Sequence, residues 1–203
     1  MLRYRVLEVK DVKEIARVHL VAFQDFFLSS LGSFFLQTYY KAVIRHPRAV
    51  CIGSYDQERL VGFCVGSVIS KGFHKDLLRK NFINFFGCFC ILVLTRPKSV
   101  LRLINNLEKK SKLLSIPDDG QQAELLSIAV LPSVASKGVG SCLLHSFEDN
   151  LLLNQVREVV LTTDVQNNDA VIHFYKKNGF DIYYQFVAYP HREMYKMIKR
   201  FFN

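Results

Sequence analysis

The stretch "LPSVASKGVGSCLL" sets Gly138 and Gly140 on either side of Val139, after an apolar β-branched run and before a helical pattern. Glycine lets a backbone approach a ligand without a Cβ in the way, and the first N–H groups of a helix have no partner inside it. With the helix dipole behind them, those donors form an anion site suited to a pyrophosphate, and Lys137 adds a positive charge beside it. A glycine turn with no ligand has the same spelling, so the loop alone leaves both readings open.

The remaining reactive residues form no rival constellation. His173 stands two residues before Tyr175, so on a helix the two point to different faces. His145 falls on the outer face of the helix that follows the glycine loop, and His19 lies at an apolar spacing that suits a packed core residue. No Ser-His-Asp or Cys-His grouping is present, and no His or Asp grouping has metal-ligand spacing, so no metal is expected. The five cysteines are an odd number, sit mostly inside apolar runs and show no CxxC pair. That favours free thiols in a reducing, cytoplasmic compartment over disulfides. Cys88 and Cys90, two apart, are a weak metal signal.

The 203 residues are half apolar and 22% charged, which suits a globular chain with a substantial core. The 27 Lys and Arg against 18 Asp and Glu give a formal charge of +9. Anionic partners such as nucleotides or acidic cofactors fit that balance, as does a simple solvated surface. Without a recognition motif, charge alone gives no reason to expect nucleic-acid binding. The opening "MLRYRVLEVKDVKEI" acquires charges too early for a signal peptide. The apolar run 81–94, "NFINFFGCFCILVL", lies between Lys80 and Arg96 and falls short of the ~20 residues of a membrane span. It reads as a buried or interfacial helix, leaving room for peripheral membrane contact.

The strands and helices around the loop can be read from periodicity. "LRYRVLEV" predicts a strand, and Asp11 an N-cap for a helix with Val12, Ile15, Ala16, His19, Leu20 and Phe23 on its apolar face. A helix is expected from Gly32 to Arg45, stopped by Pro47, and then a hairpin of "AVCIGSYD" and "LVGFCVGSVI". Residues 71–120 interrupt the rhythm with two basic, apolar-rich helical candidates, 74–94 and 98–114. They read as an insertion lying on the sheet within one domain spanning 1–203. Phe82, Phe85, Phe86 and Phe89 form a stripe that suits core packing. Strand 124–131, helix 138–153, strand 157–163, helix 168–178 and strands 180–187 and 192–200 complete a mixed α/β order with helices on the sheet's faces.

"ELLSIAVLPSVASKGVGSCLL", followed by "NNDAVIHFYKKNGF", closely resembles the GNAT superfamily of N-acetyltransferases, which transfer an acyl group from coenzyme A, usually to an amine. The motifs cover 121–200, and the elements of 1–70 agree with the family's opening βααββ. The resemblance implies an α/β (α+β) fold with a mixed, mostly antiparallel sheet and a helical insertion between strands 3 and 4. It implies acetyl-CoA as co-substrate. Backbone N–H groups of Ser136, Lys137, Gly138, Val139, Gly140 and Ser141 would hold the pyrophosphate. Ile128, Ala129 and Val130 would pair with the pantetheine arm, as an extended ligand adds to an open strand edge. Asn167 matches the Asn that bonds the arm, and Tyr175 the Tyr near the thioester sulfur. The loop's first position, Arg or Gln in the family, is Ala135, which removes one side-chain contact to phosphate.

Direct attack by an amine needs no Ser or Cys nucleophile. It needs a donor for developing oxyanion charge, for which a backbone N–H near Val130 is placed, and a proton for the departing sulfur, which the Tyr175 phenol can supply. Tyr175 also reads as an ordinary packed aromatic. Glu124 stands where some family members carry the general base, and equally reads as a strand-end surface carboxylate. "FFLSSLGSFFLQTYYKAV" bears a looser likeness to transferases acting on amino sugars of surface polysaccharides. The acceptor class is therefore a small-molecule amine, such as a nucleotide amino sugar, with a protein N-terminus or a non-catalytic coenzyme-binding module as the alternatives. Oligomer formation is left open.

Overall fold

A computed structural model of the chain describes residues 2–24, 26–95, 120–188 and 191–201. Its strands are β1 (Leu2–Val6), β2 (Ala49–Asp56), β3 (Arg59–Ser67), β4 (Ala123–Val130), β5 (Glu158–Asp164), β6 (Asp181–Ala188) and β7 (Arg192–Arg200). Its α-helices are α1 (Val12–Ala22), α2 (Phe27–Ser30), α3 (Gly32–Ile44), α4 (Phe73–Lys80), α5 (Phe82–Thr95), α6 (Val139–Leu153) and α7 (Asp169–Lys177). The strands form one sheet in the order β1-β2-β3-β4-β5-β7-β6. Every neighbouring pair is antiparallel except β4 with β5. This is the mixed, mostly antiparallel architecture expected from the sequence.

The alternation of side chains sorts the sheet into two cores. Cys51, Tyr55, Val61, Phe63 and Val65 turn to the face covered by α1 and α3, where Ile15, Ala16, Leu36 and Tyr40 meet them. Val50, Ile52 and Cys64 turn to the opposite face, against Leu143, Phe147 and Leu151 of α6. A buried ion pair joins α6 to β7 there, the Lys199 ammonium donating to both oxygens of Glu148 at 2.7 Å.

One extra residue in β4 sets the direction of the side chains leading into the glycine loop. Val65 is opposite Ser127 and Gly66 opposite Leu125, so Leu126 has no partner in β3 and forms a bulge. Ala123 and Leu125 face α6 before it; after it, Ile128 and Val130 face α6 while Ala129 and Leu131 join the α1/α3 core. The bulge reverses the parity of the strand.

Two expectations change in detail. The first strand stops at Val6, and a short 3-10 turn, Val9–Asp11, precedes α1. Asp11 does not cap α1 with its side chain. Its carboxylate accepts two 2.9 Å bonds from the Arg5 guanidinium and one of 2.8 Å from the Glu8 N–H. The Arg5 pair joins two full charges in two parallel bonds, whereas a cap sets the carboxylate against neutral N–H groups. Burial acts to raise its pKa, but Arg5 and Glu8 outweigh it and hold the carboxyl below its ordinary value.

The insertion differs more. Its first candidate helix is two, α4 and α5, bent by 83° at Asn81. The Asn81 side chain donates to the Leu77 carbonyl at 3.0 Å and its own N–H to the same oxygen at 3.2 Å, which draws off the helix ladder. α4 sends Phe73 and Leu77 into the α1/α3 core, whereas α5 lies across α3 and α2 rather than on the sheet. Only one line of α5 faces inward. Phe85 packs on Phe35, the Cys88 thiol donates to Thr38 Oγ1 at 3.1 Å, and Leu92 meets Leu31. Phe82, Phe86 and Phe89 are exposed, so the stripe expected to pack in the core is broken, its other three members turned away from α3. The second candidate, 98–114, lies outside the described residues.

Candidate active site

The sheet parts where the sequence places its chemistry. β4 and β5 are linked by two parallel pairs, Ala123 with Val159 and Glu124 with Val160, and beyond them the ladder stops. A fork opens from Glu124 toward Val130. The Leu131 N–H donates to the Val61 carbonyl at 2.8 Å, which fixes the phase of β4. Residues alternate in direction along an antiparallel strand, so Ala129 also turns its polar backbone to β3 while Ile128 and Val130 turn theirs into the fork. Of the three residues expected at this edge, two present free-edge backbone to it and Ala129 does not.

After Leu131 the chain makes a 3-10 turn, Pro132–Val134, and enters the loop. Ser136 and Gly138 both have left-handed backbone, at φ 62° and 78°. Gly138 is the N-cap residue of α6, so the unpaired N–H groups of Val139, Gly140 and Ser141 emerge beside the end of β4. A Cβ on Gly138 would meet no atom within 4 Å, whereas one on Gly140 would lie 3.3 Å from the Phe174 ring and 3.9 Å from Val130. The Gly140 contact draws β4, α6 and α7 together at one point. Val139 is buried in the α6-side core and anchors the turn. Lys137 is exposed and folds back, its ammonium donating to the Ser133 carbonyl at 3.2 Å.

α7 starts from a second tied junction. Asn167 is exposed with left-handed backbone at φ 53°. The next residue, Asn168, donates from its side chain to Thr163 Oγ1 at 2.7 Å and to the Asp164 carbonyl at 2.8 Å, fastening α7 to the end of β5. Asp164 in turn takes a bidentate hold from Arg192 at 2.6 and 2.7 Å. The sequence pattern singles out Asn167 and not Asn168; the Asn-Asp-Ala spelling ahead of an apolar helical run is the available signal for an N-terminal junction.

Tyr175 is buried between Phe174 and Phe180, 8% exposed, within the α6/α7 core. Burial, with a smaller contribution from the Cys64 thiol, pushes its phenol well above the ordinary value, so it is protonated at neutral pH. Glu124 projects to the other face. Its neighbours Ala123 and Leu125 face α6, and the Glu124 carboxylate, second to burial, raises the Tyr39 phenol of α3. His19 is buried, its Nδ1 2.7 Å from the Tyr40 hydroxyl, and its ring is pushed down to about 4 by burial, as a core residue would be. His145 and His173 are exposed. All five cysteines are free, with Cys90 and Cys142 exposed. Among the described residues no group of three or more His, Cys, Asp or Glu is placed to hold a metal ion.

A sequence model described as the acetyltransferase (GNAT) family matches residues 15–180. No curated protein sequence matches the chain. Its fold is shared by solved structures of low sequence identity. A ribosomal-protein-alanine N-acetyltransferase from Escherichia coli superposes with a TM-score of 0.62 at 16% identity, over 98% of this chain and 94% of that one. PaiA N-acetyltransferase from Thermoplasma acidophilum, in complex with coenzyme A, gives 0.58 at 14% identity over 99% of both. A spermidine N-acetyltransferase chimera of the Vibrio cholerae protein and hSSAT gives 0.61 at 16%, over 98% of this chain and 95% of that one. Because the family's sequence pattern runs from within α1 to the residue before β6, most of the chain's length, the chain belongs to the GNAT family of acetyltransferases.

Proposed function

We propose that the chain carries the acetyl group of acetyl-CoA directly to the amine of a small acceptor, an amino sugar on a nucleotide being the favoured class. The observation that carries this reading is the fork between β4 and β5, closed at its base by Glu124 and Val160 and flanked at its open end by the α6 N-terminus. The residues present fit the coenzyme: Gly138 leaves open space, and Gly140 allows an approach to Phe174 that a side chain would crowd. The acetyl thioester supplies the acyl group and a thiol leaving group.

The chain's own groups then have separable tasks. Backbone donors from Ser136 to Ser141 bind pyrophosphate, and they suffice without a side chain at Ala135. Ile128 and Val130 hold the arm through their backbone, and the Val130 N–H donates toward the thioester oxygen. Glu124 attracts the acceptor ammonium and receives its proton through water. Tyr175, kept protonated by burial, holds a proton for the sulfur. The charge of +9 favours an amine borne on an anionic molecule over a cationic peptide. Five free thiols support a cytoplasmic setting.

Calorimetric titration with acetyl-CoA, followed by thiol-release assays against nucleotide amino sugars and N-terminal peptides, tests the reading. Micromolar binding and release with an amino-sugar nucleotide are expected. Release with peptides alone would move the acceptor to protein N-termini, and no binding at millimolar ligand would overturn catalysis.

A further inference from the structure

α5 is fourteen residues long without one charged side chain, yet of its residues only Cys88 and Leu92 are buried. Phe82, Ile83, Phe86, Ile91, Val93 and Leu94 are exposed, Ile83 and Leu94 by 84% each. A contiguous apolar surface of this kind marks a site of contact. The segments on either side of it in the sequence are cationic. Lys75, Arg79 and Lys80 lie on α4, immediately ahead of the bend, and Arg96 and Lys98 follow α5 in the sequence. Asp76, on the same helix as Lys75, Arg79 and Lys80, lies 3.0 Å from His46 Nε2, 2.9 Å from the Lys80 ammonium and 3.9 Å from the Arg79 guanidinium, and offsets part of that charge.

We propose that α5 docks the protein on an anionic phospholipid bilayer, its outer face entering the boundary between headgroups and acyl chains while the α4 cations meet lipid phosphates. The charge pattern selects this occupant. A bilayer offers an apolar interior directly beneath a layer of negative charge, and α5 with its flanking segments offers the complement of both. At about 21 Å, fourteen helical residues are too short to cross a ~30 Å hydrocarbon core. No single helix among the described residues is long and apolar enough to do so, and the 83° bend turns α4 away from α5. The helix therefore lies on the membrane. Docking of this kind depends neither on the acceptor nor on coenzyme binding.

Co-sedimentation with phosphatidylcholine vesicles, with and without phosphatidylglycerol, tests it. The protein is expected to sediment with the anionic vesicles and to be released by salt. Ile83→Glu with Leu94→Glu, at the two most exposed positions, should weaken binding about a hundredfold, because burying each aliphatic side chain is worth roughly tenfold or more. Its thermal midpoint should be unchanged. Lys75→Glu with Arg79→Glu should abolish the preference for anionic vesicles. Wild type that stays in the supernatant, or a double variant that sediments like wild type, would overturn the proposal. So would light scattering that shows a dimer which the Ile83/Leu94 variant splits, since the face would then belong to a second copy.

Discussion

Glu124 and Tyr175 lie on opposite faces of the sheet, the carboxylate beside Tyr39 on the α1/α3 side and the phenol beside Cys64 on the α6/α7 side. The sheet separates them except where β4 and β5 part. Two groups so placed can serve one reaction only through the fork, and each can be altered without disturbing the other. Tyr175→Phe should lower kcat about a hundredfold, the scale of a lost general acid, with the Kd of coenzyme A within about twofold. Glu124→Gln should lower kcat/KM for the amine about tenfold or more and leave coenzyme affinity alone. Thiol-release kinetics paired with calorimetry read both. Parallel loss of affinity and turnover in Tyr175→Phe would assign that residue to packing.

Gly138 separates backbone strain from occupancy. Its left-handed conformation means that any side chain costs about 1 kcal/mol, while the open space around its Cβ direction adds no clash. Gly138→Ala and Gly138→Glu should thus lose similar stability in urea, about 1 kcal/mol. Only the glutamate, which brings charge and bulk to the proposed pyrophosphate site, should abolish acetyl-CoA binding. Normal binding by Gly138→Glu would place the phosphates elsewhere.

Gly66 and Gly87 respond in opposite directions to the same change. A Cβ at Gly66 would collide with the Glu124 carbonyl oxygen and stand 2.5 Å from the Phe147 ring. Gly66→Ala should cost about 3 kcal/mol by overpacking and pull on the base of the fork. Gly87, within α5, has nothing within 4 Å. Gly87→Ala should stabilise by roughly 0.5–1 kcal/mol through helix propensity. Denaturant midpoints measured side by side check both.

His19 makes stability depend on pH. Its folded pKa, pushed down to about 4 by burial, lies below the ordinary value of 6.5. Below 6.5 the unfolded chain takes up a proton that the fold refuses, so stability falls as pH drops from there toward about 4. The slope should approach 1.4 kcal/mol per pH unit, about 3 kcal/mol in all. His19→Leu should remove this dependence at a fixed cost visible at pH 7. An unchanged slope would assign the proton to another group.

Much of the fold was legible because local chemistry and tertiary structure agree. The glycine loop, α6, α7 and the two closing strands fall within a residue or two of where periodicity puts them. Side-chain direction was harder to read. Deciding that Ala129 faces β3 while Ile128 and Val130 face the fork requires the bulge at Leu126, and a bulge has no spelling in a single sequence. Asp11 has an N-cap's sequence context, but Arg5, six residues back, claims its carboxylate. α5 misleads in the other direction. Its composition suits a core, yet the helix it rests on offers room for a single line of its side chains.

The fork also makes the sheet a seam. The buried core on the α1/α3 face draws on β2, β3 and β4, whereas the other core reaches from Val50 to Met197 and spans both sides of the opening. Strands β1 to β4 and strands β5 to β7 are thus two panels, joined edge to edge at Ala123 and Glu124 and by the core on the α6 face. A ligand seated in the fork, between the open edges of β4 and β5, would bridge the two panels. Its binding should then appear as rigidity as well as affinity: slower amide exchange on both panels, and about 2.7 kcal/mol of added stability at a hundredfold excess over Kd.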